Sequence, residues 1–424
     1  MTWSFETEPE FEEQLGWARA FMHDHVLPLE SLGDLDHETF LRLAAPLQAE
    51  VKSAGMFAAH LPAELGGTGW GQVKLALLHE IVGASAVIGP IIFGNQPPDS
   101  GNAELIAIAG DEEQKERWMR PLLDGEIFSC FSMTELGRGS DPTTLETRAE
   151  LVGDEWVING TKWFSSNASI ADVFIVMVRT NDNPVAHKRF SMMLVPADTS
   201  GIHVREIRSM QHPYERSAGY AGEGEVTYAD VRVPAGNLLG GEGEGFLLAQ
   251  KRLGPGRIHH VMRWIGQCRR AFDMLCERAV SVETAGSRLA DKQIVQTWVA
   301  DSYAQIEALR LMTLQAAWTI DTSGVPAART AISAIKYFGA TVLHDVIDRA
   351  LQVHGSLGYS CDLPLEEMYR MARAARIYDG PDEVHRVSVA RQLLKGYDPV
   401  EVPTEHMPTR QRAAMLRFAE QLER

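Results

Sequence analysis

The spacing of apolar residues changes twice along this chain of 424 residues, and the two changes divide it into three. From residue 1 to about 125, apolar side chains recur at intervals of three and four in Phe11 to Leu27, Phe40 to Met56 and Val73 to Val87. That interval lines one face of an α-helix, so an N-terminal helical domain is expected over 1–125. Between Phe128 and Pro234 the interval falls to two, with β-rich runs at Trp156 to Ile158, Val173 to Val178, Phe190 to Val195 and Val226 to Val233. Alternation of this kind belongs to strands with one buried face, which predicts a middle β domain over 126–240. After Gly245 the helical interval returns over Phe246 to Glu283, Leu289 to Asp321 and Pro326 to Gly355. Segments this long pack against one another, so 241–400 is read as a helical bundle and 401–424 as a charged tail.

Local signals refine the division. Leu61 to Gly69 reads as a glycine-rich turn, and Gly153-Asp154 and Asn159-Gly160 read as two hairpin turns, because Asn, Asp and Gly tolerate the left-handed angles such turns need. A helix from Leu365 to Tyr378 is expected to stop at Asp379-Gly380-Pro381, where a new helix starts with Asp382 and Glu383 in its first turn. A last amphipathic helix is expected within Thr404 to Arg424.

A formal charge of -17 excludes nonspecific binding to nucleic acid or to an anionic membrane, since both require a clustered positive field. Any phosphate-bearing ligand must meet a local basic pocket. The longest weakly polar stretch, Ile81 to Gly94, falls short of the roughly 18 apolar residues of a membrane span. Cys130, Cys268, Cys276 and Cys361 show no metal-ligand spacing, so no metal is expected and reduced thiols in a cytoplasmic protein are. The acidic start lacks the features of a leader peptide.

Four segments carry candidate chemistry. Cys130 to Asp141 runs from a strand into a loop of small residues whose N–H groups and hydroxyls can hold an anion, although most such loops merely turn the chain. Lys162 to Asn167 sets aromatic faces beside hydroxyls, and an aromatic core strand would look the same. Arg252 to His260 places Gly254 and Pro255 inside a helical pattern, a local cost that suggests a packing or functional demand. His259 and His260, being adjacent, face different ways and are read as supporting residues rather than as a metal pair. Tyr378 to His385 joins a helix stop to a helix start; Asp379 there is a capping residue or, if burial raises its pKa, a proton-abstracting base. Arg370, Arg373 and Arg376 form a basic stripe leading to it.

Taken in order, these segments resemble the acyl-CoA dehydrogenase family, closest to the dehydrogenase domains of its members 10 and 11, over about residues 10 to 397. The resemblance implies an α+β multidomain fold: an N-terminal helical domain, a middle β-barrel or sandwich and a C-terminal four-helix bundle. It implies FAD as cofactor, an acyl-CoA substrate desaturated between its α and β carbons, and an electron-transfer flavoprotein as acceptor. A homotetramer or homodimer follows because such flavin sites borrow residues across an interface. By position, Phe131, Met133, Thr134, Gly139 and Ser140 match the loop that wraps flavin, with Ser140 also reaching toward CoA. Trp163, Phe164 and Ser166 match the segment beside the isoalloxazine, Gln352 and Gly355 a stretch holding the adenosine half of a neighbouring subunit's FAD, and Pro381 and Glu383 further FAD contacts. Asp379 stands at the base, Arg257 at the arginine that orients it, and Gly254, Tyr378 and Gly380 at substrate positions.

Some positions depart from the family pattern. Asp379 is a methylene shorter than the usual Glu, Leu136 replaces a Pro, Phe164 a Trp, and Gly254 stands near a usual CoA-contacting Asp. Val282 and Ala285 replace an Arg and a Phe that touch the partner's FAD, so that either FAD binds more weakly or Arg288 substitutes. Two other readings remain: an oxygen-using acyl-CoA oxidase or flavin monooxygenase on the same fold, and a flavin-poor, catalytically silent partner subunit.

Overall fold

The computed structural model describes residues 6–33, 35–65, 67–211, 222–399 and 411–423, with backbone alone at 65, 253–255, 411 and 413. The N-terminal third is built on helices α1 (Pro9–Phe21), α2 (His37–Ser53), α3 (Gln72–Val82) and α4 (Asp99–Ala109). Asp36 caps α2 by accepting from the N–H of Thr39 at 2.8 Å, the usual way a helix satisfies one of its free donors. Ile88–Ile92 and Asp99–Ala109, which the apolar spacing did not single out, are also helical; Pro98 and the short apolar run there obscure the period.

The middle third is one sheet of eight strands: β1 (Ser129–Ser132), β2 (Arg148–Val152), β3 (Glu155–Ser166), β4 (Val173–Arg179), β5 (Phe190–Pro196), β6 (Ile202–Ile207), β7 (Glu223–Pro234) and β8 (Leu238–Leu239). Their order is β6-β7-β3-β1-β4-β5-β8, with β2 against β3 and β4. Every residue from Val173 to Val178 is buried, because α4 and the start of the next helix cover one face of β4 while the sheet's own curl covers the other. Gly153 at φ 70° turns β2 into β3 as expected. The second expected hairpin is not one: Asn159 and Gly160 lie inside β3, at a register shift against β7. Asn159 spends its side chain on Asp230, accepting from its N–H at 2.9 Å, and Gly160 at φ 147° lets Thr147 approach so closely that a Cβ would sit 2.6 Å from its hydroxyl. An Asn-Gly pair can therefore serve a bulge as well as a turn.

The last third consists of α5 (Gly245–Ser281), α6 (Gln293–Ser323), α7 (Val325–His354), α8 (Leu365–Ala375) and α9 (Asp382–Leu394). Gly254 and Pro255 do not interrupt α5; the surroundings of Gly254 lie outside the described residues. α5 is the axis of the molecule, packing on α3, α6 and α7 in one continuous apolar core. α3 crosses it at a pair of glycines: a Cβ on Gly83 would lie 2.3 Å from Arg263 Cα, and one on Gly266 2.2 Å from the Glu80 carbonyl. Only hydrogen side chains permit that approach. Of the expected tail helix, Gln411–Arg417 and Ala419–Leu422 are helical, while 401–410 lie outside the described residues. No helix among the described residues is long and apolar enough to cross a membrane.

Candidate active site

The turn between α8 and α9 carries Asp379 in a left-handed conformation, φ 54°, followed by Gly380 at φ 97°. A non-glycine residue rarely holds that angle unless its surroundings enforce it. Here four side chains do so. Arg257 on α5 donates to the Asp379 carbonyl from Nε and Nη2, at 3.3 and 3.0 Å, and His385 on α9 donates to the same oxygen at 3.1 Å. Lys336 on α7, fully buried, donates to the carbonyls of Ala375 and Gly380 at 2.7 and 3.1 Å. Arg376 meets the buried carboxylate of Asp382 at 2.8 Å, so the stripe of arginines does end in the turn. The carboxylate of Asp379 itself lies 3.2 Å from His260 Nε2, with 22% of its side chain exposed.

Burial alone would raise the Asp379 pKa, as expected from sequence, but the His260 hydrogen bond and the charges of Arg257 and Arg252 outweigh it and hold the carboxyl well below its ordinary range. The group is thus an ionised acceptor, not a neutral acid. Burial pushes Lys336 down to about 8 and His385 down to about 4. Tyr378 accepts a hydrogen bond from Trp264 at 3.1 Å, and its ring lies 5.5 Å from that of His260. Pro381 precedes α9, and Glu383 is exposed in its first turn.

The second group of expected residues assembles on β1 and β3. Phe131 pairs with Ser166 across the two strands, and Trp163 N–H donates to the Thr134 carbonyl at 2.7 Å. A bulge between Lys162 and Ser165, with Phe164 at φ 54°, breaks the alternation of β3. It turns Phe164 outward, 46% exposed, beside the half-buried ring of Trp163 5.6 Å away. Gly139 and Ser140 are exposed on the following loop. Beneath that loop, the fully buried Lys162 donates to the Met133 carbonyl at 2.8 Å and to Glu135 at 2.9 Å.

Arg252 joins the two groups. Its guanidinium stacks on Phe131 at 4.1 Å, donates to Asn102 at 3.2 Å, and contributes charge at Asp379. Arg288, Gln352 and Gly355 stand elsewhere. Arg288 follows the end of α5, about 36 Å along the helix axis from Arg257, and Gln352 lies about 24 Å along α7 from Lys336, at 1.5 Å of rise per residue. All three are exposed, so within one chain they share no site with Asp379. Val282 caps α5, and Ala285 forms the tip of a two-residue-per-strand hairpin at φ 48°.

Sequence reasoning missed Lys336, although a lone lysine within Ala331 to Ala340 was the available signal, and it gave His260 only a supporting part. It also missed His79 and Arg263, which are buried beside His259, and the half-buried His60.

Three family models match in sequence order: the acyl-CoA dehydrogenase N-terminal domain over 8–126, the middle domain over 130–214 and the C-terminal domain over 243–394. The chain belongs to the acyl-CoA dehydrogenase family. It is an oxidoreductase acting on acyl-CoA. It is 42% identical over 388 residues to the Mycobacterium tuberculosis protein named "Probable acyl-CoA dehydrogenase FadE2", covering 88% of this chain and 93% of that one. It is 39% identical over 400 residues to acyl-CoA dehydrogenase family member 11 of Rattus norvegicus, covering 91% of this chain but 50% of that one. The chain thus spans half the length of that relative. Among solved structures, an acyl-CoA dehydrogenase from Mycobacterium abscessus superposes with a TM-score of 0.86 at 37% identity, over 93% of this chain and all of the other. Butyryl-CoA dehydrogenase of Megasphaera elsdenii gives 0.78 at 25% identity, over 92% and 100%.

Proposed function

We propose that the protein desaturates an acyl-CoA thioester between its α and β carbons, with Asp379 as base and FAD as oxidant. The observation that carries this reading is the junction at Arg252, which sets an ionised carboxylate on the α8–α9 turn beside the β1–β3 aromatic segment. The residues on β1 and β3 suit a flavin. Trp163 and the outward Phe164 offer ring faces, and the hydroxyls of Thr134 and Ser166 are spent on no protein partner among the described residues. A tricyclic ring needs an apolar wall together with hydrogen bonds to its heteroatoms. Gly139 and Ser140 would hold the remainder of the cofactor on their side, with Pro381 and Glu383 nearby on the turn. Arg288, Gln352 and Gly355 would serve a neighbouring subunit's FAD, consistent with a homodimer or homotetramer.

Bound FAD would supply the two-electron acceptor, taking the β hydrogen with its electron pair. The chain's own residues do the rest. Asp379 takes the α proton, and its backbone N–H, which donates to no backbone carbonyl among the described residues, is available to polarise the thioester carbonyl. Arg257 and His385 hold the Asp379 carbonyl in place while this happens, and Tyr378 and Gly380 flank the acyl group. Electrons then pass to an electron-transfer flavoprotein, and the four free cysteines fit a reducing, cytoplasmic setting.

The test is anaerobic bleaching of the flavin by butyryl-, octanoyl- and palmitoyl-CoA. Wild type should show the yellow flavin bands and lose them with at least one of the three. Asp379→Asn should keep the bands and lose the bleaching; normal bleaching in that variant refutes the base. Absence of flavin bands from purified wild type supports the silent-subunit reading instead, and stoichiometric peroxide on turnover in air supports an oxidase.

A further inference from the structure

With Asp379 as the base proposed above, its two carboxylate oxygens are not equivalent. Oδ2 faces His260 Nε2 at 3.2 Å, whereas Arg257 and His385, the other close donors, are both occupied with the backbone carbonyl. The direction of the His260 bond is fixed from behind. Arg263 Nη2 lies 3.0 Å from His260 Nδ1, and a guanidinium can only donate. Nδ1 therefore carries no proton, and the single N–H of the neutral ring is on Nε2, aimed at Asp379. Burial and the charge of Arg263 keep the imidazole neutral by pushing its pKa down against the pull of Asp379.

Arg263 is itself held. Its Nη1 donates to His79 Nδ1 at 3.2 Å and to the Asn95 carbonyl at 3.4 Å. His79 stacks on His259 at 4.4 Å, whose Nε2 meets Gln72 at 3.0 Å. The glycine crossing of α3 over α5 is what brings His79 within reach of Arg263. The result is a buried set of directional contacts in which Arg263 donates to His79 on α3 and to His260 on α5, fixing the tautomer of each, and His260 donates to Asp379.

We propose that His260, with its tautomer set by Arg263, is a positioning residue for the base: it ties down Oδ2 and presents Oδ1 to the substrate's α proton. On proton transfer the α C–H bond breaks, the proton forms a bond to Oδ1, and the electron pair stays with the substrate. His260 need not exchange its own proton, because Oδ2 remains an acceptor throughout. Were Oδ2 the reacting atom, the protonated carboxyl and the His260 N–H would face each other, and the ring could relieve this only by placing a proton on Nδ1, against Arg263.

The charged and titratable groups that face Asp379 are Arg252, Arg257, His260 and Arg263 from α5, Lys336 from α7, His385 from α9, and Tyr378 from its own turn. Removing the His260 donor leaves the cations in place and subtracts one hydrogen bond from the ionised form. The carboxylate then stays ionised at neutral pH but loses the contact that fixes Oδ2.

The experiment measures the rate of anaerobic flavin bleaching at pH 7, with whichever of the three acyl-CoAs bleaches wild type fastest. His260→Phe keeps the ring volume without the donor, and His260→Gln keeps a donor toward Asp379 and an acceptor toward Arg263. In His260→Phe the rate should fall on the order of tenfold, because the carboxylate is ionised but no longer aimed, and His260→Gln should restore most of it. Should His260→Phe fail to fold, His260→Ala takes its place with the same expectation. If Asp379→Asn is inactive and the donor-free variant keeps the wild-type rate, or His260→Gln falls as far as the donor-free variant, the positioning role is overturned while the base stands. If Asp379→Asn bleaches normally, it is the base reading that fails.

Discussion

Lys162 is wholly buried in the middle of β3, under the loop that carries Met133, Thr134, Gly139 and Ser140 of the expected flavin contacts, and its fate is a sharp test of what holds that loop. It donates to the Met133 carbonyl at 2.8 Å and to Glu135 Oε1 at 2.9 Å. Glu135 in turn accepts from the N–H groups of Glu146 and Thr147 at 2.7 and 2.9 Å. Together these four contacts tie both ends of the loop to β3. Lys162→Met removes the cation and leaves a carboxylate in an almost closed site, a change that typically costs about 3–5 kcal/mol. Glu135→Leu leaves an unpaired ammonium and two unsatisfied N–H groups, and a similar cost is expected. The double variant should cost less than the two single losses together, with a coupling of about 0.5–3 kcal/mol, because neither charge is then left alone. Urea unfolding followed by circular dichroism measures the cycle, and the ratio of visible to ultraviolet absorbance measures retained flavin, which should fall with each single change. Losses below about 1 kcal/mol in both single variants, or strict additivity in the double, would show that the pair does not anchor the loop.

Two further outcomes follow from local geometry. Burial raises Asp99 to about 6, against hydrogen bonds from Ser129 and Gln96 that lower it. With its folded-state pKa above the unfolded one, the folded chain binds the extra proton between about pH 4 and 6, so this group's contribution is full below pH 4 and is lost as pH rises through 6. Asp99→Asn, neutral at every pH, should therefore gain on wild type between pH 4 and 7, by at most about 3 kcal/mol; a stability difference that stays constant over that range would contradict the assignment. Gly160→Ala should destabilise by about 1–3 kcal/mol, since its Cβ would meet Thr147 Oγ1 at 2.6 Å and Cα at 2.7 Å. An unaffected melting temperature would mean that the bulge is not the one described.

The long elements were legible because their signal is repeated many times. Phe246 to Glu283 contains about ten helical turns, so Gly254 and Pro255 could not mask the period, and α5 ends within two residues of the expected stop. Val173 to Val178, by contrast, is buried on both faces and does not alternate, so its β-rich composition rather than an interval of two marks it as a strand. Single-turn features carry no such redundancy. The bulge at Phe164 depends on where β7 runs out of register, and β7 lies about 60 residues downstream of it. Asn159-Gly160 has a local preference that two structures satisfy, and only the side-chain bond to Asp230 chooses between them.

The site shows the same division at the scale of single atoms. Arg257, His260 and Trp264 fall at helical intervals of three and four, so that they share a face of α5 could be read from their spacing. Which of them touches the carboxylate could not. That depends on the left-handed angle at Asp379, which sets the directions of its carbonyl and side chain separately, and the angle is held by donors from α5, α7 and α9 that come together only in the folded chain. Sequence position marked Arg257 as the residue that orients the base, and it does hold the backbone of that residue. The carboxylate of Asp379 is met instead by His260, three positions on, whose Nδ1 accepts from Arg263 one turn further along α5, while two glycines let α3 bring His79 against Arg263 from behind. A substitution at Gly83 or Gly266 would therefore be expected to reach the chemistry without touching any residue that meets the substrate.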